Sequence, residues 1–82
     1  MLEKKSYPID MVYVPVKRAK TLDAEKVLAL AEDILENGQT TPIRLRPDGE
    51  RYVLIEGLHR LEALRALGEA TVEGYLVRAR LH

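Results

Sequence analysis

The chain has 82 residues, 46% of them hydrophobic and none in a low-complexity tract, which fits one small folded domain over residues 1–82 and argues against a disordered tail. Thirteen basic and thirteen acidic side chains cancel, so the global positive field that sequence-independent DNA binders use is missing. With no cysteine there is no disulfide framework, no thiolate nucleophile and no cysteine-ligated metal site, and two histidines without clustered partners give no reason to expect a metal held by protein side chains alone.

Charge is still uneven along the chain. Lys17, Arg18 and Lys20 cluster in one stretch and Arg78 and Arg80 in another, while Glu25, Glu32, Asp33 and Glu36 are acidic. No apolar run approaches the ~18 residues of a membrane span, and the first five residues lack the apolar stretch of a signal peptide. The expectation is a cytoplasmic protein with no membrane partner.

Taken in order, residues 6–8 read as a turn-like lead-in. Ile9, Val12 and Val14 then predict a short edge strand ended by Pro15, and residues 17–20 an exposed, charged loop. From Asp23 the apolar period becomes helical, with Val27, Leu30, Ala31, Ile34 and Leu35 on one stripe. Asp23 is the expected N-cap, and Gly38 followed by Pro42 the stop. Residues 43–46 alternate apolar and charged, 47–50 (Pro-Asp-Gly-Glu) spell a turn, and 52–55 (Tyr-Val-Leu-Ile) are β-favouring without a break. A β-hairpin follows, its second strand apolar on both faces and expected to be central with cover on each side.

A second helix is predicted over residues 58–67, ended by Gly68, with Leu61, Ala63, Leu64, Ala66 and Leu67 on its buried face and Glu62, Arg65 and Glu69 outside. Residues 71–77 predict a last strand continuing through Ala79 and Leu81, with His82 frayed at the end.

The chemistry concentrates where the central strand meets this helix, at Glu56-Gly57-Leu58-His59-Arg60. Backbone N–H groups in the first turn of a helix have no intrahelical acceptors, and with the macrodipole they attract phosphate. Gly57 removes a Cβ that would hold a ligand away, Arg60 offers a fork of donors, and His59 adds another donor. The alternative is structural: Gly57 only makes a tight turn, His59 is half-buried, and Arg60 pairs with Glu56 or Glu62. Spacing alone does not choose between them. Glu56 is the one catalytic candidate, able to orient a water, to hold Mg²⁺ through a phosphate, or to pair with Arg60. The common NTPase, dinucleotide and hydrolase signatures are absent, and four tyrosines as the only aromatic residues disfavour stacking on single-stranded nucleic acid.

Three blocks together resemble the ParB N-terminal domain / sulfiredoxin superfamily over nearly the whole chain. They are residues 22–34 (LDAEKVLALAEDI), residues 38–43 (GQTTPI) and residues 52–63 (YVLIEGLHRLEA), with Ala70-Thr71-Val72 opening the last strand. The resemblance implies a small α+β fold: a mixed sheet of about four strands with two main helices. In sulfiredoxins the turn reads Gly-Cys-His-Arg, the cysteine attacks a sulfinic phosphate and the His-Arg pair holds ATP phosphates. Leu58 stands at the cysteine position here, which excludes sulfinic acid reductase activity and leaves Gly57, His59 and Arg60 matched. In partition-type ParB proteins the turn reads Gly-Glu-Arg-Arg and binds CTP, with a Gly-x-x-Gln segment nearby. This chain keeps Gly57 and Arg60, and Thr41 falls where that glutamine would be. Lys26 is similar to an ATP-contacting lysine of sulfiredoxins, although Ala29 and Asp33 replace its hydroxyl neighbours.

The resemblance thus implies a nucleotide-binding module that takes ATP or CTP with Mg²⁺, its phosphates held at Gly57, Leu58, His59 and Arg60, with Lys26, Lys17, Arg18 and Thr41 as further nucleotide or anion contacts. Its implied work is that of a switch or adaptor in DNA partition or regulation, with DNA or another DNA-binding domain, or a second copy in a homodimer, as partner. Two alternatives stand beside it. One is a ParB-like DNA-binding or nuclease domain using Lys17, Arg18 and Lys20 on DNA phosphates, and the other is the N-terminal fragment of a longer DNA-binding protein. An NTPase activity at the turn is the enzymatic form of the first reading, as a nuclease is of the second.

Overall fold

The computed structural model describes residues 4–77. Strand β1 (Lys4–Pro8) passes through a 3-10 turn (Ile9–Met11) into the two-residue β2 (Val12–Tyr13) and a single helical turn, α1 (Val16–Ala19). Helix α2 (Ala24–Asn37), strands β3 (Ile43–Asp48) and β4 (Arg51–Glu56), helix α3 (Leu58–Ala66) and strand β5 (Thr71–Leu76) follow. The strands form one sheet in the order β1-β5-β3-β4-β2. β1/β5 and β3/β4 are antiparallel, and β3/β5 and β2/β4 parallel. This is the α+β, mixed-sheet class expected from the sequence, with five strands where about four were predicted.

The sheet curls. Tyr7 of β1 and Tyr52 of β4 meet edge to face with ring centroids 4.9 Å apart, although β5 and β3 lie between their strands. Three flat strand spacings would hold them about 14 Å apart. The core fills the concave side, where Ile43, Leu45, Leu54 and Val72 from the strands meet Leu58, Leu61, Ala63 and Leu64 from α3 and Ile34 from α2. α3 packs on β3 and β5, and α2 packs on α3.

Helix α2 begins as its sequence dictates: the Glu25 N–H donates to Asp23 Oδ1 at 3.0 Å. It ends at Gly38, whose φ of +74° suits a residue without Cβ. Of the predicted stripe, Ile34 is buried and Val27, Leu30 and Ala31 pack at its border, but Leu35 is 73% exposed. Leu35 lies at the margin of the stripe. Ala66 is likewise exposed, outside the expected buried face of α3.

Four local expectations are corrected. Residues 6–8 are not a turn but the end of β1, which exists because β5 offers it a partner in register, Tyr7 opposite Val72. Ile9 leaves the predicted edge strand for the 3-10 turn, so only Val12 and Tyr13 pair, with Tyr52 and Val53. Residues 17–20 are not an open loop: the Arg18 and Ala19 N–H groups both donate to the Pro15 C=O, closing a helical turn. Pro47 and Asp48 stay in β3 opposite Tyr52 and Arg51, so the hairpin turn is only Gly49-Glu50, with Gly49 at φ +63°. β4 is interior as expected, yet its far-face residue Val53 is buried outside the main core cluster, beside its cross-strand neighbours Arg46 and Tyr13. The predicted continuation of the last strand through Arg78, Ala79, Arg80 and Leu81, and the frayed His82, lie outside the described residues.

A side chain completes the sheet where β3 has not yet begun. Parallel pairing with β5 starts at Ile43 opposite Gly74. One residue earlier on β5, the Glu73 N–H donates to Gln39 Oε1 at 2.8 Å, and Gln39 Nε2 donates to the Glu73 C=O at 2.9 Å and the Thr41 C=O at 3.0 Å. The amide therefore imitates a strand residue and pins residues 39–41. Gln39→Ala leaves both Glu73 backbone groups without these partners and is expected to cost about 1–3 kcal/mol. Urea unfolding followed by circular dichroism measures it, and an unchanged midpoint would mean the clamp is dispensable.

Candidate anion site at the start of helix α3

Gly57 is the hinge of the site. It has φ +112° and ψ +31°, on the left-handed side of the map, and caps α3, whose first intrahelical bond runs from the Leu61 N–H to the Gly57 C=O at 2.9 Å. The amides of Leu58, His59 and Arg60 precede that bond and are left for another acceptor. A Cβ built on Gly57 would stand 2.5 Å from Ile43 Cγ2 and 2.8 Å from Ile43 Cβ. The missing side chain thus makes room for the core, not, as the sequence suggested, for a ligand.

Around this turn lies a cleft of about 420 Å³ lined by Arg18, Thr21, Leu30, Thr41, Pro42 and residues 56–60. It brings together seven of the nine sequence-predicted contacts: Arg18, Thr41, Glu56, Gly57, Leu58, His59 and Arg60. Lys17 and Lys26 are exposed and do not line it. Thr21, Leu30 and Pro42 are additions that the sequence did not mark as contacts, although Leu30 belongs to the predicted apolar stripe and Pro42 to the 38–43 block.

Each polar group has a distinct situation. Leu58 is 7% exposed, its side chain in the core, so it can offer an anion only its amide. The Asp23 N–H donates to His59 Nε2 at 3.0 Å, tying the start of α2 to the turn. Glu56 lies 3.5 Å from Arg44 Nε, with its side chain 71% exposed, and Glu62 lies 3.5 Å from Arg65 Nε. Neither carboxylate holds Arg60. Instead Arg60 Nη1 is buried without a hydrogen-bond partner among the described residues. Burying a guanidinium nitrogen unpaired costs free energy that an arriving anion would return. Among the described residues no three His, Cys, Asp or Glu side chains come together as metal ligands, so Mg²⁺ here would draw its other ligands from phosphates and water. Nor is any helix among them long and apolar enough to cross a membrane.

A model of the ParB N-terminal domain matches residues 5–81. The chain belongs to that family. Its fold is that of the ParB/sulfiredoxin superfamily, as the sequence resemblance implied. No curated protein sequence matches the chain. Among solved structures, sulfiredoxin from Arabidopsis thaliana superposes with a TM-score of 0.83 at 26% identity, covering 94% of this chain and 86% of that one. The C-terminally truncated chromosome-partitioning protein ParB from Caulobacter crescentus, complexed with CTP-gamma-S, gives 0.78 at 25% identity, covering 98% of this chain and 46% of that one. A mutant free serine kinase in complex with AMP gives 0.79 at 19% identity over 93% of this chain and 31% of that one, a likeness of fold alone. This chain therefore spans under half of that ParB protein and about a third of the kinase.

The Gly57 turn gives a direct test of the local geometry. Gly57→Ala combines a left-handed backbone with a clash against Ile43, and is expected to destabilise the fold by about 2–4 kcal/mol. Thermal unfolding reads the effect, and wild-type stability in the variant would contradict the geometry.

Proposed function

We propose that this ParB N-terminal domain is a nucleotide-binding module that holds the phosphates of ATP or CTP, or of the corresponding diphosphate, with Mg²⁺ at the start of α3. The observation that carries the reading is Arg60 Nη1, buried and unpartnered beside the cleft at a helix N-terminus. First-turn amides, the macrodipole and a guanidinium freed from carboxylates are the donor set that phosphate oxygens fit. Support also comes from relatives of the same fold solved with CTP-gamma-S and with AMP. The Leu58, His59 and Arg60 amides, with Gly57 shaping the turn, and the Arg60 side chain hold the phosphates in this reading, Arg18 and Thr41 face them across the cleft, and Glu56 is a peripheral group engaged by Arg44. Nucleotide occupancy then makes the domain a switch or adaptor for partners in DNA partition or regulation.

Calorimetry with ATP, ADP, CTP and GTP in the presence of Mg²⁺ tests this reading. At least one is expected to bind, and Arg60→Ala to weaken it by about 1.5–3 kcal/mol, the range for hydrogen bonds to charged groups. Absence of binding to all four, or binding indifferent to Arg60→Ala, would refute it.

One observation favours a second reading, contact with DNA phosphates: Lys17, Arg18 and Lys20 all stand exposed on or just after α1. If they make three such contacts, log affinity should fall against log salt with a slope of about −2.7. A slope near zero in a fluorescence anisotropy titration would dismiss it, and absence of Mg²⁺-dependent plasmid cleavage would dismiss its nuclease form.

A further inference from the structure

Motif position alone would aim the His59 side chain at the ligand, but the fold gives its Nε2 another partner 36 residues away in sequence, the N–H of Asp23. A backbone N–H can only donate, so Nε2 must present its lone pair, and the neutral ring then carries its proton on Nδ1. Nε2 is committed to this bond and is no donor to an anion.

What this bond restrains is the far wall of the cleft. Arg18 and Thr21 line that wall. The segment that carries them has little packing of its own: α1 has no buried residue, residues 17–23 are all exposed, and Leu22 is 45% exposed. Its internal bonds, Thr21 Oγ1 to the Arg18 C=O at 2.7 Å and the Thr21 N–H to the same oxygen at 2.9 Å, shape the segment without attaching it to the turn. The Asp23–His59 bond makes that attachment, from the residue that also caps α2.

We infer that His59 is a positioning residue: through Nε2 it holds residues 18–23, and with them Arg18, against the phosphate turn, while its direct offer to an anion is its backbone amide. The inference rests on the nucleotide reading for what fills the cleft. It differs from a phosphate-contacting histidine in which ring atom matters, and that difference is measurable.

Glutamine and asparagine separate the two roles, because a glutamine oxygen reaches the Nε2 position whereas an asparagine amide reaches only that of Nδ1. In calorimetry with Mg²⁺-ATP and Mg²⁺-CTP, His59→Asn is expected to bind about three- to tenfold more weakly and His59→Gln within about twofold of wild type, the loss of one neutral hydrogen bond. Nitrogen-15 spectra of the wild-type ring, at a pH where imidazoles are neutral, should show Nδ1 protonated and Nε2 bare. Hydrogen exchange at the Asp23 amide should quicken in His59→Asn and not in His59→Gln.

A protonated Nε2, or an Asp23 amide indifferent to both substitutions, overturns the inference whether or not nucleotide binds. Rescue of binding by asparagine and not glutamine also overturns it, making Nδ1 a direct ligand contact and leaving the nucleotide reading intact. Wild-type protein that binds no nucleotide while the Asp23 amide responds as expected overturns the nucleotide reading, and with it the positioning role.

Discussion

Ile43 sits where two glycine backbones press on it, one too close for any side chain and the other tightly. A Cβ on Gly57 would stand 2.5 Å from its Cγ2, and one on Gly74 would stand 3.1 Å from its Cγ1. Ile43 is 1% exposed and opens β3, the middle strand of the sheet. Its contact with Gly57 fixes how near the end of β4 lies to the start of β3, and hence where α3 begins. Gly74 sets the neighbouring spacing on the β5 side, one residue beyond the point where Gln39 takes over the ladder. The helix start is therefore located by close packing around Ile43. Close-packed interiors give way little, so three amides and one partly buried guanidinium are held beside the cleft at a fixed spacing.

The polar groups around the turn divide between those satisfied locally and those left over. Arg44 engages Glu56, and Arg65 engages Glu62. These pairs are partly exposed and contribute little to stability, but they have a consequence for Arg60. With both neighbouring carboxylates occupied elsewhere, nothing within the described residues neutralises the buried Nη1. A small domain has limited burial from which to offset such a cost. Binding of an anion would convert it into ligand affinity and stabilise the folded state by mass action.

What could be read in the sequence was what is encoded within a few residues. Asp23 caps the helix by a contact to Glu25, and Gly38 stops it by its own backbone angle, so neither needs the rest of the fold. The start of α3 was legible for the same reason: a β-favouring run, a glycine and a leucine-rich helix adjoin. β1 was not legible, because of its five residues only Tyr7 is buried, and its pairing partner lies more than sixty residues further along the chain. The reason for Gly57 was hidden too, since the atom it makes room for belongs to another strand. Nor could the turn have announced that His59 looks back to Asp23. Thr21 enters the cleft through that unseen link.

The make-up of the cleft bears on the kind of ligand it would take. Arg60 and the free amides stand at the turn, while Leu30 and Pro42 supply apolar surface within the same 420 Å³. A bare phosphate or sulfate uses the first group and gains nothing from the second. A nucleotide uses both, placing charge at the helix start and covering apolar surface with its base or sugar. A DNA backbone is long and would need cations extending beyond the cleft; Lys17 and Lys20 lie there on the α1 side, but against a net charge of zero. Leu58, at the position where the sequence resemblance implies a cysteine, faces this chain's own core. With no thiolate at this turn, what it offers is amides and a guanidinium, a donor set that phosphate oxygens would fit.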